Sequence, residues 1–405
     1  MAGRKVFVTG MGAVSAAGVG AKALWMAARD GRPCISEVVP PRPSRGRIKF
    51  AAQVRDFDPA ALIEPEILPL TDPVIRYLIV AADEAARDAD LTRAALAGPR
   101  TATLIGTGVG GITTTEESHH AVLVKNERPD PLTILKLIPS SCPAMISMRY
   151  GTTGPCFAIA SACSSATQAI GVAAHMIRAG LVDRAIVGGT EDCLTIGGML
   201  AWESLRVLTP TLCRPFSKDR NGMVLGAGAG VFILEAEELA LARGARVLAE
   251  LAGYGTSSDA KDPVRPDAEG AAQSMRSALA DAEADPEEID YVNAHGTGTT
   301  VNDITEAEAL RLVFGKRASQ IPISSTKPIH GHGLGAGGAL ELVVTLGALR
   351  EGVAPPTINW RVADEKCPVD AVPNEARPLP IRTAMSNSFA FGGINAVLVL
   401  RRVEA

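Results

Sequence analysis

Short β-branched runs alternate along this chain with longer alanine-rich stretches in which apolar residues recur at a helical period, the pattern of a sheet covered by helices. Strands are predicted at 6–9, 103–106, 185–188, 231–234, 247–251, 291–293, 321–324 and 396–400, and helices at 74–89, 163–179, 270–284, 304–313 and 338–350. The stretch EAEELALARGARVLAE reads as a helix running through Arg243 into Gly244 and then a new strand, which divides the chain into residues 1–245 and 246–405. Each part opens with a strand ending in glycine-rich sequence. Each later sends a strand into a small-residue turn before an Ala/Gly-rich helix: SACSSATQAIG in the first, STKPIHGHGLGAGGALE in the second. A duplicated α/β fold is the expectation.

Two glycine-rich stretches need a reading first. TGMGAVSAAG follows a strand but lacks the G-x-G-x-x-G spacing of a dinucleotide site, and no GxxxxGK[ST] occurs, so NAD or ATP binding is not expected. VLGAGAGVFILE runs directly into a strand, which points to close backbone packing.

Composition narrows the class. Nearly half of the 405 residues are apolar and 40 are glycine, which suits an α/β protein with small residues at helix–sheet contacts. The net charge of −4 argues against nucleic acid, whose binding rests on basic side chains neutralising phosphates. Arg42, Arg45, Arg47 and Lys49 crowd one proline-rich loop, read as a solvated loop in preference to a docking site. Seven cysteines form no CxxC pair or disulfide framework, which fits a reducing, cytoplasmic setting. The start runs from Met1 through Arg4 and Lys5 into a strand without the pattern of a secretory leader, and no apolar run reaches membrane-spanning length.

Candidate chemistry starts at FAIASACSSATQAIG, where Cys163 stands at the junction of an apolar segment, a tight turn and a helix. A helix N-terminus favours thiolate over thiol, and the Cys163 N–H can face a developing oxyanion. Taken alone, a cysteine reads more readily as one more small buried side chain. Of six histidines, His295 in NAHGTGT and His332 in HGHGLGAGG follow predicted strands, where α/β proteins tend to place function. His119 and His120 read as an exposed helical pair and His175 as part of the helix after Cys163; none of these three is assigned chemistry. The cysteines and histidines lack the local pair spacing of a metal site, and none is expected.

SACSSA, NAHGTGT, SSTKPIHGHGLGAGG and SNSFAFGGINAVLVL closely resemble, in order, four signatures of elongating β-ketoacyl-[acyl carrier protein] synthases of the thiolase superfamily, and the match runs from VFVTGMG to AVLVL. With AWESLRVLTPTLCRPFSKDRNGMVLGAGAGVFILE the wording is nearest to nodulation-protein-type ketosynthases. The resemblance implies a thiolase-like fold of two similar halves layered α-β-α-β-α, the first bearing Cys163 and the second His295 and His332. It also implies a Cys-His-His enzyme that takes an acyl chain onto Cys163, then decarboxylates a malonyl thioester and condenses the two. The backbone N–H groups of Cys163 and Phe391 would form the oxyanion hole, and His295 and His332 would stabilise the enolate as neutral imidazoles. Thr297 and Thr299 match hydroxyls that bind phosphopantetheine, though turn capping is their plain alternative. Lys327 and Glu341 match a lysine and an acidic position near the site, read as an ion pair in preference to direct catalysis. SNSFAFGG should form a glycine-bearing loop in which Phe391 gates the acyl pocket, Phe389 and Trp202 would wall it, and Arg206 would contact the carrier.

The sequence departs from the usual pattern at Ala390 and Ile394, where glycine and threonine are commoner, at Ala227, usually acidic, and in EPEILPLTD, which lacks the basic residues usual before the helix near Val74. Ala390 and Ile394 bear on loop mobility and pocket shape, Ala227 on a local structural contact and EPEILPLTD on carrier docking; Ala390 and the nodulation-type wording tilt the reading toward a specialised pathway. A thiolase would carry a second cysteine in the C-terminal motif, but Cys367 is the last; a chain-initiating enzyme would show Asn where His332 stands. A non-catalytic chain-length-factor-type subunit would have lost Cys163. No attached cofactor is implied, only substrates carried on the phosphopantetheine of an acyl carrier protein. A homodimer is expected, with LKLIPSSCPAMISMRYG, including Ile138 and Met145, completing the neighbour's pocket; a heterodimer with a second ketosynthase-like subunit stays open.

Overall fold

The computed structural model describes residues 4–403, so Met1 lies outside the described residues. Ten strands form the continuous path of one eleven-stranded sheet. They are β1 (Val6–Ser15), β2 (Thr101–Gly106), β3 (Cys156–Ile159), β4 (Arg184–Glu191), β5 (Gly228–Ala236), β6 (Ala249–Ser258), β7 (Tyr291–Asn293), β8 (Ile323–Ser324), β9 (Thr383–Ala390) and β10 (Ile394–Arg401). Their spatial order is β8-β7-β9-β10-β6-β1-β5-β4-β2-β3. Both five-strand sets therefore run third, second, fourth, fifth, first. In both, the second strand is parallel to the third and fourth, and the fifth is antiparallel to the fourth and first. Among the described residues the two sets of strands pair where Phe7 and Val8 of β1 meet Glu250 and Ala249 of β6. This one-to-one correspondence is the duplication that the sequence showed faintly.

Helices α1 (Pro73–Asp88), α2 (Ile112–Leu123), α3 (Ser141–Tyr150), α4 (Ser165–Arg178), α5 (Ile196–Ser204), α6 (Ala268–Asp281), α7 (Thr300–Phe314) and α8 (Gly337–Glu351) cover the strands. Layering follows from side-chain alternation, because successive strand residues face opposite ways. In β5, Val231 and Ile233 pack outward with α1 and α3, whereas Phe232 and Leu234 point inward onto α4 and α8. In β10, Val397 and Val399 pack outward with α6 and α7, and Ala396 and Leu398 inward on the same central helices. Strands buried on both faces read as unbroken apolar runs, and each fully buried Leu, Val or Phe contributes about 1.5–3 kcal/mol.

The central layer is tightly packed. Helix α8 is buried on nearly every side, as an apolar helix without a polar face must be. A Cβ at Gly338 would lie 2.0 Å from Thr167 Oγ1 of α4, and one at Gly230 would lie 2.9 Å from Ala339 of α8; in the same run Gly226 and Gly228 would meet the backbone of His330 and Val14, so the glycines of VLGAGAG serve close backbone packing. Helix α1 shows its start plainly: the Asp72 carboxylate accepts from Val74 N–H at 3.2 Å and Pro73 takes the first turn.

Several expectations need correction. SNSFAFGG is not all loop: β9 runs through Ala390, and the turn begins at Phe391 with Gly392 and Gly393 at φ 81° and 67°. The strand escaped notice because its buried polar residues look loop-like. Tertiary contacts hold two of them, Ser388 with Thr167 at 2.7 Å and the Asn387 amide N–H donating to Glu306 at 3.1 Å, while Asn387 Oδ1 is left without a partner among the described residues. Strand β3 was likewise not predicted, and α4 starts at Ser165, two residues beyond Cys163. Met145 is buried in the outer core with α1 residues of its own chain. Among the described residues no helix is long and apolar enough to cross a membrane.

Candidate active site

Corresponding turns at the start of the two central helices build the site. In the first half β3 leads to a single 3₁₀ turn, Ala162–Ser164, before α4, with Ala162 at φ 48°. A non-glycine residue in the left-handed region is strained and persists only where its surroundings hold it. Here the Ser165 hydroxyl accepts the Ser161 N–H at 2.9 Å and donates to the Ala162 carbonyl at 2.7 Å, closing the turn around Cys163. In the second half the turn Leu334–Ala336 precedes α8, with Leu334 at φ 46°. His332 stands just before it, and His295 follows β7. The His295 backbone is held by Glu306 of α7, whose carboxylate accepts the N–H groups of His295 at 2.9 Å and Gly296 at 2.7 Å.

These elements bring Cys163, His295 and His332 together. Cys163 Sγ and His332 Nε2 are 3.0 Å apart, and the two imidazoles meet edge to face at 5.3 Å between centroids. Which ring nitrogen carries the proton follows from the neighbours. Leu334 N–H donates to His332 Nδ1 at 3.3 Å, so Nδ1 accepts and the proton of the neutral ring sits on Nε2, directed at the sulfur. Lys327 Nζ lies 3.5 Å from His295 Nδ1, and its ammonium can only donate, so His295 also carries its proton on Nε2.

Lys327 additionally bonds the His295 carbonyl and pairs with Glu341, all fully buried. Burial, then the Lys327 charge, holds both imidazoles well below the usual histidine range, hence neutral. Burial pushes the Glu341 carboxyl up to about 7 against the pull of Lys327. It also pushes the Cys163 thiol up to about 12, with Lys327 opposing. Burial thus outweighs the helix end that was expected to favour a resting thiolate.

The sulfur and ring nitrogens lie within 4.8 Å of one another, close enough to suggest a metal. The chemistry of the donors does not fit one, since a metal needs a lone pair at Nε2 and both rings are set with the proton there.

A pocket of about 540 Å³ opens onto these three residues. Thr297, Thr299, Arg206, Trp202, Phe389 and Phe391 also line it. Trp202 and Phe391 stack at 5.9 Å across the pocket, and the Thr297 and Thr299 hydroxyls bond each other at 2.9 Å. Lys327 and Glu341 sit behind His295. His119 and His120 lie on α2, and His175 bonds Asp281 at 3.2 Å, all outside the pocket, while buried His330 bonds Thr326 at 2.9 Å. Arg42 of the basic loop pairs with Glu117 at 2.8 Å.

Sequence reasoning missed Glu306 and Glu191. The signal for Glu306 is its place in the first two turns of α7, three residues after Asp303, whose carboxylate accepts Gly298 N–H at 3.1 Å. Arg265, also in the pocket lining, had no sequence signal.

Comparison with known proteins agrees with this geometry. The family described as Beta-ketoacyl synthase, N-terminal domain, matches residues 3–240, and Beta-ketoacyl synthase, C-terminal domain, matches residues 248–361. The chain is 41% identical over 401 residues to Nodulation protein E of Rhizobium sp. (strain N33), covering 99% of this chain and 100% of that protein. It is 40% identical over 409 residues to 3-oxoacyl-[acyl-carrier-protein] synthase 2 of Coxiella burnetii, covering 99% of both. Among solved structures, the ishigamide ketosynthase/chain length factor superposes with a TM-score of 0.95 at 34% identity, over 100% of both chains. Two family models that together span most of the chain, and relatives about 40% identical over nearly its whole length, give one answer: the chain belongs to the β-ketoacyl synthase family.

Proposed function

We propose that this protein is an elongating β-ketoacyl-[acyl carrier protein] synthase with Cys163 as its nucleophile. The observation that carries this reading is the convergence of two neutral imidazoles, each with its proton on Nε2, beside a cysteine at a strained strand-to-helix turn.

Cys163 attacks the carbonyl of an acyl thioester on the carrier's phosphopantetheine. The negative oxygen is held by the N–H groups of Cys163 and Phe391, and the sulfur–carbonyl bond to the carrier breaks. The thiol proton leaves with the carrier thiol. Protonated at rest, Cys163 sheds its proton during attack, aided by the His332 Nε2–H and the Lys327 charge. A malonyl thioester then enters along Thr297 and Thr299. As its terminal C–C bond breaks and CO₂ departs, the electron pair moves onto the thioester oxygen, which accepts hydrogen bonds from His295 and His332. The α-carbon attacks the acyl carbonyl on Cys163, and the cysteine leaves as thiolate, which takes up a proton from solvent to return to the resting thiol. Trp202, Phe389 and Phe391 wall the acyl path, and exposed Arg206 at the mouth contacts the carrier. No resident cofactor takes part.

Likeness to Nodulation protein E and Ala390 in the pocket lining favour a specialised lipid or polyketide pathway. The experiment is incubation with acyl-carrier and malonyl-carrier thioesters, read by mass spectrometry of protein and product. A β-ketoacyl carrier two carbons longer is expected; acylated protein that never condenses would favour a partner-dependent subunit.

A homodimer belongs to the same reading. Strand β3 is an edge with Phe157 exposed, beside Ile134, Leu135 and Met148, also exposed. An unpaired apolar edge is a ready template for a second copy. Light scattering of the isolated chain should give twice the chain mass, and a stable, active monomer would contradict the dimer.

A further inference from the structure

We propose that Glu191 is a positioning residue that fixes the proton of His332 on Nε2, acting through the peptide of Gly335. This rests on the function proposed above and adds to it a link from the first half of the fold to the histidine of the second.

Glu191 is the last residue of β4 and is fully buried. One carboxylate oxygen accepts the N–H groups of Gly108 at 2.5 Å and Gly335 at 3.2 Å, and the other lies 3.3 Å from the Thr107 hydroxyl. Among the described residues no Lys, Arg or His pairs with it, so backbone N–H groups from both halves are what solvate this buried acid. The approach is close: a Cβ at Gly335 would lie 2.5 Å from Glu191 Oε2 and one at Gly108 would lie 2.7 Å from it. An acid without a counter-ion is costly to bury, and an ordinary packing position would be filled by an apolar residue.

The chain of contact runs onward to the reacting centre. Gly335 follows Leu334, whose N–H sets the His332 tautomer and whose φ of 46° is strained. A strained residue needs an anchor on each side. His332 lies on one, and the Glu191 bond to Gly335 N–H holds the other. Without it Leu334 can relax to a negative φ, its N–H leaves His332 Nδ1, and the ring is free to move its proton to Nδ1. A ring in that tautomer offers a lone pair, not a donor, to the enolate oxygen.

The duplicated fold supports this reading from a second direction. Ala162–Ser164 and Leu334–Ala336 are the same turn in the two halves, so Gly335 stands where Cys163 stands. In the first half the N–H at this place is the proposed oxyanion donor. In the second, the same N–H already holds a carboxylate oxygen. The turn is built to bind negative oxygen, and the protein fills the spare copy with Glu191 to brace its histidine.

The test compares Glu191→Met, which removes the acceptor, with Glu191→Gln, whose amide oxygen can still accept from both glycines. Acyl transfer to Cys163 and malonyl decarboxylation on pre-acylated protein are measured separately in single turnovers, and ¹⁵N-histidine spectra report the His332 tautomer, assigned by its loss in His332→Gln. Glu191→Met should slow decarboxylation by about tenfold or more, with acyl transfer changed by less than about threefold and a mixed His332 tautomer. Glu191→Gln should recover most of the rate. If the Met variant does not fold, Gln decides alone: its weaker neutral acceptor should still slow decarboxylation by about threefold, with acyl transfer unchanged. Equal losses in both half-reactions, or an unchanged His332 tautomer and rate in the variants, would overturn the inference while leaving a wild type that acylates and condenses. A wild type that takes no acyl group would overturn the proposed function itself.

Discussion

Replacing His332 with alanine should leave Cys163 able to accept an acyl chain while condensation falls by about a hundredfold or more. The expectation follows from what the ring does. Its Nε2–H is fixed by Leu334 and its neutrality is enforced by burial and the Lys327 charge, so in the proposed mechanism it donates a hydrogen bond to charge that develops in decarboxylation. Loss of one such donor in a water-poor site costs about 2.7–4 kcal/mol of transition-state stabilisation, which sets the magnitude. In the proposed mechanism acyl transfer depends chiefly on the backbone N–H groups of Cys163 and Phe391, which the substitution leaves in place. It should slow less, through the lost bond to Cys163 Sγ. Single-turnover acylation compared with CO₂ release separates the two, and a variant whose two steps fall in parallel would assign His332 to thiol activation instead.

The second large effect is on stability. Lys327→Met strips the counter-charge from Glu341, leaving a buried carboxylate unpaired, and breaking a buried pair in this way costs about 3–5 kcal/mol. The loss should depend on pH in a definite direction. The folded-state pKa of Glu341 already stands above its unfolded value, and loss of Lys327 raises it further, so the folded variant binds more protons than the unfolded chain. Its stability is retained at low pH and lost as pH rises through the folded pKa. Urea midpoints should therefore show a larger deficit against wild type near pH 8 than near pH 6, and adding Glu341→Gln should recover much of it. A deficit that is independent of pH would mean that Lys327 contributes through packing, not charge.

Much of the site was legible before any coordinates because its chemistry sits at sharp local transitions. Cys163, His295 and His332 each follow a β-branched or apolar run and precede small residues, and such junctions stay visible in one dimension. The duplication was faint for a related reason: the halves share strand order and turn geometry but few residues, so Ala162 and Leu334 correspond by φ, not by type. Strand β9 was hidden by TAMSNSFA, in which Ser388 and the Asn387 amide are accommodated in a strand because α4 and α7 supply partners. Glu191 and Glu306 were hidden for the opposite reason. A glutamate next to a glycine pair or on a helix looks solvated, and only the fold reveals that backbone N–H groups close on it. The thiolate expected at Cys163 failed because a helix end is read locally, whereas the burial that opposes it is assembled from both halves.

The central claim is tested most directly by intact-protein mass spectrometry after exposure to acyl-carrier thioesters, with wild type beside Cys163→Ala. The account predicts one acyl adduct per chain on wild type, mapped to the Cys163 peptide and absent from the variant. An adduct that persists in Cys163→Ala, or its absence from folded wild type with every donor, would contradict it.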